Sequence, residues 1–358
     1  MPIAHRAHRA RHAAGAGLRI GAGWLAGLVL AAFALTAAAL AGEAPTTQRT
    51  SCLGTDLVAR MQAEDPAAYR AYEAEAKTIA NVDGLLWRIE KPGAAPSYLF
   101  GTMHASDERL IRIAGRTRDY VAAARVVATE LGDMGVFTRT LIAAKAAYRG
   151  LRREGDTLAV IDVAAQRASV EALLATRNVD AEKASHIEPW LLVALLAAPV
   201  CELERQKAGS IVVDEKVTQM ADEAGVPVEA LETIDEQLDV ITALAPDEAA
   251  RMLVSMAARP DLLDDSFETM IGLYEAGRAG VVLLATVAAA KLSPEDAALN
   301  AAFMARLVGR RNLVMRDRAM PLIDAGGAFI AVGALHLPGD DGLVALFRAQ
   351  GYELTKIW

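Results

Sequence analysis

The chain has 358 residues, with 37 Lys and Arg against 45 Asp and Glu and a net charge of −8. That acidic balance disfavours nucleic acid and anionic membrane surfaces as partners. The two cysteines, Cys52 and Cys201, stand far apart with no histidine nearby, which makes a poor zinc site.

Residues 1–41 differ from the rest. Arg6, Arg9, Arg11 and Arg19 precede or open an apolar run over 20–40, and no acidic residue occurs before Glu43. The run ends in Ala39-Leu40-Ala41, the small-x-small pattern that a signal peptidase cuts after. This predicts a cleaved secretory signal, a mature chain beginning at Gly42, a periplasmic or secreted location and no stable membrane anchor. An uncleaved anchor is the alternative, since about 20 apolar residues span a bilayer. Loss of four arginines from the 37 basic residues leaves 33 against the same 45 acids, a net charge of −12. The remaining 42–358 is long enough for one large core or two intimate halves. Both cysteines lie in this part, and an even count in an oxidising compartment predicts one disulfide, with two buried thiols as the alternative.

Residues 42–84 read as a polar, Ala- and Glu-rich leading segment with helical spacing from Leu57, tied to the body through Cys52. Leu85-Leu86-Trp87-Arg88-Ile89 reads as a strand, 91–96 as a turn, and Ser97-Tyr98-Leu99-Phe100 as a second strand. A helix is expected over 116–124 and a strand over RVVATEL, 125–131. From about 134 to 200 the periodicity is helical, with Glu188-Pro189-Trp190 as one helix start. A helix over 212–224 leads to a short strand, VPVEAL, at 226–231. Residues 234–300 are again helical, broken near Pro260, and a long helix follows through Arg306 and Arg316 to about 323. Ala328-Phe329-Ile330-Ala331-Val332 is the clearest buried strand, followed by a helix over 342–350 and a last strand over 352–357. Strands alternating with helices predict an α/β fold with a mainly parallel sheet flanked by helices. The helical middle, about 134–224, reads as an insertion or cap within a domain spanning 85–358.

One local pattern occurs twice. SYLFGTMH ends in Gly101-Thr102-Met103-His104, and FIAVGALH ends in Gly333-Ala334-Leu335-His336. In each, an apolar strand runs into Gly-x-x-His. The carboxyl ends of parallel strands form the ligand crevice, and a glycine there lets the backbone turn tightly or approach closely. Of six histidines, His5, His8 and His12 lie in the signal, so two of the remaining three occupy this pattern. Either alone reads as a hydrogen-bonded structural histidine; together they read as a functional pair. His186, just before a helix start, reads as structural. Glu130 and Glu232 fall at the ends of two other strands. His104, Glu130, Glu232 and His336 are therefore expected at one edge of one sheet. Two histidines with one or two carboxylates suit a divalent metal such as Zn, Mn or Co. The same set also suits acid–base hydrolysis without a metal. For each acid the bland reading is a carboxylate capping a helix start. Arg306, Arg310, Arg311, Arg316 and Arg318 crowd one helix; they read as a solvated basic face, or Arg311, with Asn312 beside it, reaches the crevice to hold an anion. Asp107 and Glu108 are candidates to orient His104. Gly-x-Ser-x-Gly, a phosphate-binding loop and His-Glu-x-x-His are all absent from the sequence, which argues against a serine hydrolase.

LLWRIEKPGAAPSYLFGTMHASDERL, a strand ending in TEL, then LETIDEQ, RRN and FIAVGALHLPGDDGLVALFRAQGYEL resemble the TraB/GumN family. The resemblance runs from about 52 to 358, and its Gly-x-x-His elements are its most specific part. CLGTDL and PVCELER resemble members with a paired cysteine. The resemblance implies functional roles for His104, His336 and Glu130, as catalytic or metal-binding groups, and supporting or substrate-binding roles for Arg311, Asn312 and Glu232. Relatives include the Tiki proteins, membrane-tethered proteases that depend on divalent metal, and, as distant fold relatives, erythromycin esterases and haem-binding ChaN-like proteins. The chain departs from Tiki in having no convincing anchor after its last strand. The expectation is a periplasmic metal-dependent hydrolase with a peptide or protein substrate. The alternative is a non-catalytic protein that holds haem, a metal or a small ligand.

Overall fold

The computed structural model describes residues 52, 54–152, 154–290 and 292–358; the expected signal and its cleavage site lie outside them. In chain order the elements are α1 (Leu57–Glu64), α2 (Pro66–Ala76), β1 (Leu86–Glu90), β2 (Ser97–Thr102), α3 (Glu108–Gly115), α4 (Arg118–Ala122) and β3 (Val126–Thr129). Then follow α5 (Val136–Gly150), α6 (Ala164–Ala175), α7 (Ala181–Ser185), α8 (Pro189–Ala197), α9 (Val200–Lys207), α10 (Val213–Glu223) and β4 (Val228–Ala230). The chain closes with α11 (Ile234–Thr242), α12 (Pro246–Ala258), α13 (Asp261–Glu275), α14 (Val282–Ala290), α15 (Pro294–Asp324), β5 (Ala328–Gly333), α16 (Leu343–Ala349) and β6 (Glu353–Lys356).

β5 shows why this sequence makes a sheet. Its residues Ala328 to Val332 are all buried, as a strand covered on both faces requires. Alternate side chains go to opposite layers. Ala328, Ile330 and Val332 pack with Met315 and Ile323 of α15 and with Val344 and Phe347 of α16. Phe329 and Ala331 pack with Leu110 of α3, Val217 of α10 and Ile271 of α13. The sheet has the order β4-β3-β5-β2-β1-β6. β4, β3, β5 and β2 run parallel, and β1 and β6 join antiparallel at one side. A second core lies among the helices, built from α5, α6, α8, α11, α12 and the first half of α15. Helix α10 instead packs on the sheet, against β3.

Two local expectations are corrected. The helix expected over 116–124 is the shorter α4, and ahead of it stands a helix that was not expected, α3, which Asp107 caps by accepting from the Arg109 N–H. The long helix also starts earlier than expected, at Pro294. Cys52 and Cys201 form a disulfide with α-carbons 5.4 Å apart, within the range a bridge requires. No helix among the described residues is long and apolar enough to cross a membrane.

Candidate functional site

The strand order delivers the site. β4, β3, β5 and β2 are consecutive parallel neighbours, so their carboxyl ends open at one edge in the order Glu232, Glu130, His336, His104. The two Gly-x-x-His turns are staggered by one residue, since Gly101 stands opposite Val332 and Thr102 opposite Gly333. After Gly333 the chain makes a single 3-10 turn, Ala334–His336, which carries the second histidine back over the edge. The glycines serve close approach. A Cβ on Gly101 would sit 3.0 Å from Ala334, and one on Gly333 would sit 3.1 Å from Glu130 Oε1.

Both histidines face one carboxylate. His104 Nε2 lies 4.0 Å from Glu130 Oε2, and His336 Nε2 lies 3.7 Å from Glu130 Oε1. Their other nitrogens are fixed from behind. His104 Nδ1 lies 2.8 Å from Asp214 Oδ2, and a carboxylate only accepts, so Nδ1 carries the proton. Asp214 Oδ1 accepts in turn from the Thr102 hydroxyl at 2.7 Å. His336 Nδ1 lies 2.6 Å from Asn312 Oδ1, while Asn312 Nδ2 donates to the Asp341 carbonyl at 2.8 Å. That second bond fixes which end of the amide faces His336, so His336 Nδ1 is also the donor. Its Nε2 therefore presents a lone pair to the Glu130 side.

Glu130 is 5 % exposed and fully engaged. Its Oε1 accepts from the Gly333 N–H at 2.7 Å, and its Oε2 from Arg311 Nη2 at 2.7 Å and Gln237 Nε2 at 2.9 Å. Arg311 bridges onward to Glu232, with Nε 2.9 Å from Oε1 and Nη2 2.6 Å from Oε2. One buried guanidinium thus joins two buried carboxylates. Burial alone would raise the pKa of Glu130, but Arg311 and both histidines hold it well below the usual carboxylate value. Glu232 goes the other way, raised by burial in spite of Arg311.

The two imidazoles are driven apart. Burial works against a charge on His104, yet the Asp214 and Glu130 carboxylates outweigh it and raise its pKa to about 9. For His336, burial and the Arg311 charge together lower the pKa to about 3. At neutral pH the site holds one imidazolium and one neutral imidazole.

His104, His336, Glu130, Glu232, Arg311 and Asn312 are brought together as expected, although Arg311 and Asn312 are committed to protein partners. Among the described residues no group of three or more His, Cys, Asp or Glu is disposed to hold a metal ion. Glu130 accepts from Arg311, Gln237 and the Gly333 N–H. Asp107 and Glu108 do not orient His104: Asp107 pairs with Arg109 and Arg205, and Glu108 is exposed. Asp214 and Gln237 do the positioning that the sequence reading missed. Asp214 stands in VVDEK at a helix start, where an acid ordinarily faces the helix dipole. The other basic residues of α15 behave as a surface: Arg306 pairs with Glu248, Arg316 with Asp317, Arg318 with Glu236, and Arg310 is exposed. His186 closes α7.

The TraB/PrgY/gumN family model matches residues 85–356, a span that contains every residue of this edge. The chain belongs to the TraB/PrgY/gumN family. No curated protein and no solved structure gave a match. In this TraB-family chain the disulfide ties the leading segment outside the match to α9, and α9 reaches the segment that follows His104. Cys201 opens α9, whose Glu202 accepts from the Ser106 N–H at 2.7 Å, two residues past His104. Arg205 Nη2 donates to Glu202 at 2.8 Å and Arg205 Nη1 to Asp107 at 3.1 Å.

Proposed function

We propose that this TraB-family protein is a hydrolase of the periplasm or cell exterior, in which two unlike histidines activate water and protonate a leaving group. The observation that carries this reading is that both histidines turn Nε2 toward Glu130 while unlike groups hold Nδ1, the Asp214 carboxylate for His104 and the Asn312 amide for His336, which pushes the two rings toward opposite charge states. Paired titratable groups pushed in opposite directions mark the base and the acid of a site. His336 Nε2 takes a proton from water, and the nearby Glu130 carboxylate stabilises the imidazolium that forms. The oxygen attacks a carbonyl carbon, His104 Nε2 gives its proton to the departing oxygen or nitrogen, and an acid and an alcohol or amine result. Asp214 and Asn312 are positioning residues that hold each ring by its Nδ1. Arg311 fixes Glu130 and adds positive charge near the developing oxyanion. Export is supported by the disulfide, which belongs to oxidising compartments, and by the N-terminal sequence.

The test is hydrolysis of p-nitrophenyl esters and of a peptide library by purified 42–358, beside His336→Ala and His104→Ala variants. Loss of either group should slow turnover by about 10²- to 10⁴-fold while the fold is kept. Rates that vanish with a chelator and return with Mn, Co or Zn would replace this reading with a metal-dependent one. A Soret band in the purified protein, with no turnover, would replace it with haem binding.

A further inference from the structure

Helix α5 is apolar on two faces, and the fold uses one of them. Ile142, Ala146 and Gly150, four residues apart, are buried, and the first two pack in the helical core. On the opposite face Phe137 is 81 % exposed, Leu141 36 % and Tyr148 80 %, with Leu151, the residue after the helix, at 48 %. Thr140 and Ala144 complete that face and are exposed too. Single exposed apolar side chains are ordinary, but a contiguous row of them marks an interaction surface.

The spacing of the row says what covers it. Phe137, Leu141, Ala144, Tyr148 and Leu151 follow one another at steps of four, three, four and three residues. That is the narrow seam of paired helices rather than the wider stripe of a helix laid on a core, so the occupant is another helix. Within α5 the row is also self-complementary. In antiparallel register Phe137 meets a second Tyr148 and Leu141 meets a second Ala144, which sets ring against ring and large against small. A parallel pair would instead stack Ala144 on Ala144 and leave a gap. A twofold interface requires self-complementarity of this kind. Charge permits the pairing, because Arg139, Lys145 and Arg149 are bound within their own chain to Glu215, Asp235 and Asp239. A helix lying on a membrane would offer such basic residues free to the headgroups, and the acidic balance of the chain works against an anionic surface. Four aromatic rings, each worth about 150–250 Å² of buried surface, supply most of the area. Together with Leu141 and Leu151 they bring the total to on the order of 1,000 Å², where specific interfaces begin.

We infer that the protein is a twofold dimer in which the α5 helices of two copies pair antiparallel, Phe137 of one copy against Tyr148 of the other.

Sedimentation velocity of purified 42–358 over micromolar concentrations should show a species of twice the chain mass. Phe137→Glu and Tyr148→Glu, both at exposed positions, should each weaken association by about ten-fold or more, with the far-UV circular dichroism unchanged. Cross-linking reads the direction. Phe137→Cys and Tyr148→Cys proteins, mixed and oxidised, should give a disulfide-linked dimer containing one of each. Neither should link to itself, because the 11 residues between the positions hold like positions about 16 Å apart along an antiparallel pair. A monomer at every concentration overturns the proposal, and so does a dimer that survives both glutamate variants. Self-linking of either cysteine variant overturns the antiparallel pairing. Binding to anionic vesicles that Phe137→Glu abolishes, with no dimer in solution, overturns it in favour of a membrane-surface helix.

Discussion

His104 and His336 carry the same ring and stand against the same carboxylate, yet unlike groups lie behind them, a carboxylate and an amide. Asp214 feeds negative potential to His104, while His336 has only the neutral amide of Asn312 behind it and Arg311 nearby. The folded value of about 9 for His104 lies above the unfolded value of about 6.5. The pair therefore contributes stability that is full below about pH 6.5 and is lost as pH rises through about 9. Asp214→Asn should remove that contribution, so urea denaturation at pH 6 should show a loss that shrinks by pH 10. Equal losses at both values would mean that Asp214 acts only through packing. Arg311 carries a larger share. Its removal leaves Glu130 and Glu232 buried without their common partner, and Arg311→Ala should cost about 3–5 kcal/mol. A variant as stable as the wild type, by urea or thermal unfolding, would contradict the buried triad. Glu130, Glu232 and the histidines were legible because each follows an apolar strand. Asp214 and Gln237 were not, because both come from the first turns of helices, where an acid or amide has ordinary local uses.

At the scale of elements, the site depends on the bracing of short loops. Ser106 is held by Glu202, Glu202 by Arg205, and both stand on α9 beside the Cys52–Cys201 bridge. Reduction of the bridge should therefore do two things. It should lower stability by about 2–5 kcal/mol, and it should slow turnover, because the segment after His104 loses its anchor. Non-reducing peptide mapping should find the linked pair, and two alkylatable thiols in exported protein would contradict it. Gly333→Ala tests the other loop. A methyl group 3.1 Å from Glu130 Oε1 crowds the carboxylate where the Gly333 N–H donates to it. Activity should fall while the strand, buried and regular, keeps its place; unchanged kinetics would contradict the close-approach role. Fully buried β5 was readable residue by residue. The α3 start was missed although Asp107 stood there as a cap, because its closeness to His104 invited a functional reading.

For the whole molecule, the parallel strand order turns sequence distance into proximity. Motifs at 101–104 and 333–336 become neighbours because β5 inserts between β3 and β2. The α/β class and the shared edge were legible from strand and helix periods. The split of the hydrophobic residues into a sheet core and a helical core was not, since periodicity says that a face is buried but not against which partner. The exported product should begin at Gly42 by intact mass, and a full-length membrane-bound form as the only product would contradict processing. The central claim is that unlike histidines serve one reaction, and the pH dependence of kcat/KM tests it most directly. The profile of an ester substrate in wild type should rise near the depressed value of His336, about 3, and fall near the raised value of His104, about 9. In Asp214→Asn the alkaline limb should move toward neutrality while the acid limb stays. An alkaline limb that does not move in that variant would contradict the assignment of His104 as the acid held charged by Asp214.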